Sequence, residues 1–271
     1  MLLEITYRTE YHYDPPVRDG LSAVRLLPSA RPGLEVLSRS LRASPGKVAF
    51  SYVDGWGTAV DVVDVSGVHG SAMVEARARV RTFSAEHDEP PRPDEVRHFT
   101  RGSARVPLDA ATALGWNVGS EGQSWPAVES ALQWFPQRFL YRLGATDALT
   151  PVEDFIALGA GVCQDFVHAH LALLRSWGWC ARYVSGYLFS ATGEAASIEA
   201  DAMHAWTEVY RPGAGWIGLD PTAGTYADDR YVPVGYGRDY ADVRPVRGVI
   251  RGATMQSQTS RLHMQVSQQQ Q

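Results

Sequence analysis

The chain has 271 residues, 45% of them hydrophobic and 20% charged, with a formal net charge of -5. This is the profile of a soluble globular protein, long enough for one large domain or two ordinary ones. No basic excess exists to neutralise phosphates, which argues against nucleic-acid binding, and no apolar run approaches the roughly 20 residues that span a bilayer. The opening MLLEITYRTEYHY carries Glu4 inside its apolar run and no small-residue cleavage site, so it does not read as a signal peptide. Two cysteines do not make a disulfide framework, and a reducing, cytoplasmic compartment is the expectation.

Residues 2–83 read as strands. Glu4, Thr6, Arg8 and Glu10 alternate with Ile5, Tyr7, Thr9 and Tyr11, the two-residue period of a half-buried strand. Further strand patterns cover Leu21–Leu27, Ala59–Val65 and Ser71–Thr82, punctuated by Pro15-Pro16, Pro32-Gly33, Pro45-Gly46 and Asp54-Gly55. Short strands at this spacing predict a β-sandwich or small barrel. The acidic, proline-rich stretch that follows reads as a linker. The expected division is a β-domain at 1–85, a linker at 86–97 and a catalytic domain at 98–271.

Helical signals come next. Pro107 introduces a short pattern over Leu108–Leu114, and Ser124 is a plausible N-cap for Ala127–Phe135, which Pro136 should end or kink. Thr150-Pro151-Val152-Glu153 has the form of a capping box and predicts a helix over 151–158, stopped by Gly159 and Gly161. A longer helix begins near Cys163, with Phe166, Val167, His170, Leu171 and Leu174 at helical spacing and Gly178 as its stop. Strand patterns return over Ala181–Phe189, His204–Tyr210 and Gly215–Leu219, and the closing QVSQQQQ has nothing to bury.

Cys163 stands where a glycine-rich stop meets a helix start. The positive end of the helix dipole favours a thiolate there, and the first-turn N–H groups are placed to hold a developing oxyanion. Cys180, in an apolar run after Trp177 and Trp179, reads as a packing residue. A turn at Arg211-Pro212-Gly213 folds HAWTEVY back onto GWIGLDP and sets Asp220 opposite His204 on one face of a hairpin. A carboxylate beside an imidazole fixes its tautomer and stabilises the imidazolium. The bland alternative is a surface histidine and a strand-end aspartate that pair by accident. Asp165 would oppose a thiolate at Cys163 and is assigned to capping the helix N-terminus. A zinc site of Cys163, His168, His170 and His204 fails on spacing, since five residues separate Cys163 from His168. No metal and no cofactor is expected.

The stretches Gly161-Val162-Cys163-Gln164-Asp165-Phe166, Ala181 to Tyr187, His204-Ala205-Trp206-Thr207-Glu208, and Gly215-Trp216 through Leu219-Asp220-Pro221-Thr222 closely resemble the bacterial transglutaminase-like family. Gly237 to Val243 and the opening TYRTEYHYDPPV with Arg25–Pro28 extend the resemblance over nearly the whole chain. It implies an α+β, papain-like core behind an N-terminal β-sandwich-like region. It also implies Cys163, His204 and Asp220 as catalytic residues, and thioester chemistry on amides of a peptide or protein substrate. Crosslinking results when an amine accepts the acyl group, and hydrolysis when water does. Thr58 after Trp56-Gly57, Val167, and Trp179-Cys180 depart from the family's pattern away from those three residues and bear on substrate shape. The competing function is a non-catalytic interaction module on the same fold. Three intact residues favour the enzyme, and the expectation leans to hydrolysis of a peptide or isopeptide bond.

Overall fold

The computed structural model describes residues 1–84, 89–116, 120–189, 197–198, 203–252 and 255–266. In chain order, four strands come first: β1 (Leu2–Val24), β2 (Leu34–Ser44), β3 (Lys47–Val53) and β4 (Ala59–Thr82). Helices α1 (Pro93–Phe99), α2 (Ala110–Ala113) and α3 (Trp125–Arg138) follow, then β5 (Leu140–Tyr141), α4 (Val152–Leu158), β6 (Ala160–Gly161) and α5 (Cys163–Ser176). The remainder is β7 (Ala181–Leu188), β8 (Ser197–Ile198), β9 (His204–Arg211), β10 (Gly215–Asp220), β11 (Thr225–Tyr226), β12 (Tyr231–Gly237), α6 (Tyr240–Val243), β13 (Val246–Arg251) and β14 (Met255–Val266).

The alternation that marked the opening segment becomes the pleat of β1. Leu3, Ile5, Tyr7 and Thr9 are buried on one face, while Glu4, Thr6 and Arg8 point the other way. Hydrogen bonds join β1, β2, β3, β4, β8, β13 and β14 into one sheet. This differs from the expected sandwich. β1 and β4 run long enough to serve both halves of the region, and their shared register shifts between His12 and Val17 and between Arg18 and Gly20, where the pair bends. The apolar face of this sheet packs on Tyr187, Val232 and Val234 from the second sheet.

That second sheet has the order β11-β10-β9-β7-β12, all antiparallel. Helix α5 lies against β9 and β7 on one side and against α2, α3 and α4 on the other. Every side chain from Gln164 to Arg175 is buried, so this helix is enclosed nearly all round instead of along one stripe, with its polar residues buried among the apolar ones. Phe135, Phe139, Phe155 and Phe166 interlock beside it, with the rings of Phe139 and Phe155 4.5 Å apart. The buried Arg175 is held by three backbone carbonyls, at Ala181 (2.9 Å), Arg238 (2.7 Å) and Arg101 (3.3 Å).

Three local expectations change. Within the expected linker at 86–97, residues from Pro93 onward form α1. Proline opens that helix, the Glu95 carboxylate accepts from the Arg92 N–H at 2.8 Å, and Phe99 buries against Trp56. The linker residues 86–88 lie outside the described set. Helix α3 starts on its Ser124 cap but runs through Pro136 to Arg138. The expected capping box at Thr150 does not form: its hydroxyl accepts from the Asp147 N–H at 2.9 Å, and Pro151 occupies the N-cap of α4. The largest difference is at the other end of the chain. β13 and β14 return from the expected catalytic part, 98–271, to pair with β1 along nearly its whole length.

Candidate active site

Cys163 is delivered to the surface of the core by a tight approach. The short strand β6 pairs with β5, and Gly161 then passes so close to α5 that a Cβ there would stand 2.5 Å from the Asp165 carboxylate and 2.7 Å from the Phe155 ring. Only glycine fits. Cys163 opens α5, half-buried, with Val162 at the N-cap. Asp165 caps the helix, its Oδ2 accepting from the Val162 N–H at 2.8 Å and from the Thr146 hydroxyl at 2.6 Å. Burial pushes the Asp165 carboxyl up, with those hydrogen bonds working against the shift.

His204 opens β9 and Asp220 closes β10, two strands joined at the turn predicted from Arg211 to Gly213. The register is two residues from the expected one. Gly215 pairs with Arg211 and Leu219 with Thr207, so the ladder carries Asp220 toward Trp206 and not directly opposite His204. An even shift keeps both side chains on the same face, and the diagonal neighbours meet. His204 Nε2 donates to Asp220 Oδ2 at 2.7 Å. A carboxylate accepts only, so this bond requires the proton on Nε2 and leaves Nδ1 for Cys163, with which His204 is also hydrogen-bonded.

Asp220 is fully buried, and its four-way set of partners makes that burial tolerable. Beyond His204, the Tyr231 hydroxyl donates to Oδ2 at 2.8 Å, and the Thr222 and Ala223 N–H groups donate to Oδ1 at 2.9 and 3.4 Å. Desolvation acts to raise the Asp220 carboxyl, but these donors outweigh it and hold it below its ordinary range. Burial likewise opposes charge on His204. The hydrogen bonds to Asp220 and Cys163 prevail and push its pKa up to about 10. The indole of Trp206 lies nearly parallel to the imidazole at 6.2 Å, and Tyr231 meets that indole edge-on. The structure therefore brings Cys163, His204 and Asp220 together. The chemistry open to them is nucleophilic attack by sulfur, with the imidazole carrying the proton.

Cys180 is buried, and its desolvation pushes the thiol up to about 11. His168 and His170 do not join Cys163. His168 Nε2 accepts from the Tyr240 N–H at 3.2 Å, and His170 Nδ1 bonds the Thr207 hydroxyl at 3.0 Å. Burial pushes both imidazoles down to about 3. Among the described residues, no group of three or more His, Cys, Asp and Glu is arranged to hold a metal.

Sequence reasoning missed Tyr231 and Tyr183. Tyr231 is brought to Asp220 by sheet order, which no local spacing reveals. Tyr183 is buried on β7 with its phenol close enough to Cys163 to feel its charge. It also missed the role of Glu208, two turns of pleat beyond His204. Arg182 grips the Glu208 carboxylate at 2.6 Å and Arg31, from the N-terminal region, at 3.1 Å, tying the first sheet to the second. Cys163 and His204 open on a cavity of about 1010 Å³.

Residues 113–221 match the Transglutaminase-like superfamily and residues 3–81 match the Bacterial transglutaminase-like N-terminal region. An uncharacterized protein of Mycobacterium leprae (strain TN) is 30% identical over 269 residues, covering 93% of this chain and 95% of its own. An uncharacterized protein of Mycobacterium tuberculosis (strain H37Rv) is 32% identical over 281 residues, covering 91% of this chain and 86% of its own. A crystal structure from Cytophaga hutchinsonii, described as a candidate cysteine protease, superposes with a TM-score of 0.75 over 97% of this chain and 90% of that one, at 22% identity. Region by region, from the N-terminal strands to the strand that ends at Asp220, the chain belongs to the transglutaminase-like superfamily.

Proposed function

We propose that this chain is a thiol enzyme that cleaves or transfers amide-bound acyl groups, built on a papain-like α+β core. Cys163 is the nucleophile, His204 the acid–base and Asp220 the orienting carboxylate. The observation that carries the reading is the imidazole of His204 held between the Asp220 carboxylate at 2.7 Å and the Cys163 sulfur.

The thiolate of Cys163 adds to an amide carbonyl. The oxyanion that forms lies over the start of α5, where the Cys163 and Gln164 N–H groups come too early in the helix to have an acceptor within it. The C–N bond breaks as His204 gives its Nδ1 proton to the leaving amine, and a thioester remains. Water or a second amine then attacks the thioester, His204 takes a proton from it, and the C–S bond breaks to release the acid or the new amide. Asp220 stays ionised throughout and stabilises the imidazolium. We favour water as acceptor and a peptide or protein as substrate. A reducing, cytoplasmic setting, which keeps a thiol free, goes with this reading.

The test is incubation with capped glutaminyl peptides, with and without a primary amine, followed by mass spectrometry of protein and peptide. The expected result is an acyl adduct on the Cys163 peptide and a product whose amide has become a carboxylate. Amine incorporation in place of the carboxylate would identify crosslinking. Turnover that survives Cys163→Ala, or peptide binding with no adduct and no product, would sink the enzyme reading and favour a non-catalytic module.

A further inference from the structure

The cavity above Cys163 is not enclosed by the catalytic half alone. Its far wall is the inner face of the N-terminal sheet. Tyr7, Tyr11 and Tyr13 line it from β1, with Ala72 and Val74 from the paired strand β4. Register explains why these residues share a face. Tyr11 stands opposite Ala72, Thr9 opposite Val74 and Tyr7 opposite Ala76, so aromatic side chains on β1 rise beside small ones on β4 and leave a trough between them. Tyr141 and Tyr240 line the same space from the catalytic half, beside Cys163 and His204. Tyr11, from β1, lines the same cavity as Tyr240 of α6, and burial pushes its phenol up in pKa.

The charge of this wall is as telling as its shape. Among the described residues that line the cavity, the charged side chains are Asp147, Arg261 and His204, whose pKa is pushed up to about 10 beside Asp220. A charged side chain set against the tyrosines and small residues of this wall loses water with few partners to replace it. Tyrosines offer the opposite bargain, a flat apolar face for side chains and a hydroxyl for peptide groups. The volume, about 1010 Å³, lies at the upper end of the roughly 300–1,000 Å³ that hold drug-sized ligands, and exceeds what one reacting amide needs.

We infer that the N-terminal sheet supplies one wall of the acyl-donor groove, with Tyr11, Tyr13 and Ala72 as specificity-determining residues, and that the donor is an extended peptide whose side chains around the reacting amide are uncharged and aromatic or aliphatic. The inference rests on Cys163 as the nucleophile, since that is what makes the cavity a donor site. The N-terminal region thus selects substrate and does more than pack against the core.

Binding is tested apart from turnover. The Cys163→Ala chain is exposed to an immobilised library of capped hexapeptides with a central glutamine, and dissociation constants of the retained peptides are then measured in Tyr13→Ala and Ala72→Trp versions. Melting curves establish that both variants fold. Tyr13→Ala removes part of the wall and Ala72→Trp fills the trough, so a defect in either one reads the same groove. The inference expects retained peptides to lack charge and affinity to fall on the order of tenfold, the size usual for losing an anchoring aromatic contact. No retained peptide, a preference for charged ones, or unchanged affinity in both variants would overturn it. Failure of the thiol chemistry shows elsewhere, as a wild-type chain that binds peptides and forms no acyl adduct.

Discussion

His204 has two hydrogen-bonding tasks, and the kinetics should separate them. On the proposed mechanism His204→Ala removes the group that moves the proton and should lower turnover by roughly 10² to 10⁴-fold. Asp220 acts through His204, so Asp220→Ala should leave some activity and Asp220→Asn should keep the geometry better than alanine does. The two act as a unit, and the double variant His204→Ala/Asp220→Ala should be little worse than His204→Ala alone. Losses that multiply would mean two independent roles. Tyr231 is a positioning residue in the same chain of bonds, its hydroxyl 2.8 Å from the oxygen that His204 uses. Tyr231→Phe takes a donor from a buried carboxylate and should raise the pKa of Asp220. The acid limb of the pH–rate profile should then move upward, with turnover at neutral pH down on the order of tenfold, matching the loss of one hydrogen bond to a charged group. A rate loss with no change in the profile would make Tyr231 merely structural. The proximity of His204 and Asp220 was legible because a turn with proline and glycine fixes which face each strand end presents. Tyr231 was not, because its strand β12 pairs with β7 at the far side of the sheet and only the strand order brings its hydroxyl across.

At the scale of elements, the sequence revealed existence better than boundaries. The hairpin register differs by two residues from the one inferred, and the site survives because side chains alternate with a period of two. A slip of one would have turned Asp220 to the other face. Helix α5 announced itself through the spacing of Phe166, His170, Leu171 and Leu174, but spacing alone does not show that Gln164, Asp165 and Arg175 are buried as well. Tertiary packing buries all three, through the Asp165 cap and the carbonyl partners of Arg175. Thr150 carried a capping signature and spends its hydroxyl on the loop at Asp147 instead. The start of α5 is braced by Phe155 from α4, whose ring lies 5.3 Å from Phe166 and beside Gly161. Phe155→Ala should therefore cost roughly 3–5 kcal/mol in urea unfolding, the range for emptying a packed aromatic site. A loss under about 1 kcal/mol would contradict the claim that this aromatic cluster holds the helix start.

For the whole molecule, the two sheets are joined by chemistry as well as by apolar contact. The residues after Val246 were assigned by sequence to the catalytic part, since nothing local shows where a strand will find its partner, yet β13 and β14 close the N-terminal sheet. Across the junction, Arg31 reaches Glu208 beside Arg182, and its guanidinium also lies 4.7 Å over the Tyr236 ring. Burial works to raise the Glu208 carboxyl, but the two arginines outweigh it and hold it low. A carboxyl whose folded pKa is depressed gives stability above its unfolded value, about 4.3, and loses it as the pH falls through the folded one. Arg31→Met should therefore cost roughly 1–3 kcal/mol near neutral pH, with Arg182 retaining part of the compensation. The gap from wild type should shrink as the pH falls below the unfolded value and through the lowered folded one. A gap that persists unchanged in acid would show that Arg31 contributes by packing and not through Glu208.

All of this turns on one claim, that Cys163 is activated by His204 while Cys180 is an inert packing residue. Iodoacetamide labelling near neutral pH, with the modified cysteine located by peptide mass spectrometry, measures it directly. The structure predicts that Cys163 alkylates first, that Cys180 stays unmodified while the chain is folded, and that His204→Ala slows labelling of Cys163. Equal labelling of the two thiols, or a Cys163 rate indifferent to His204→Ala, would contradict it.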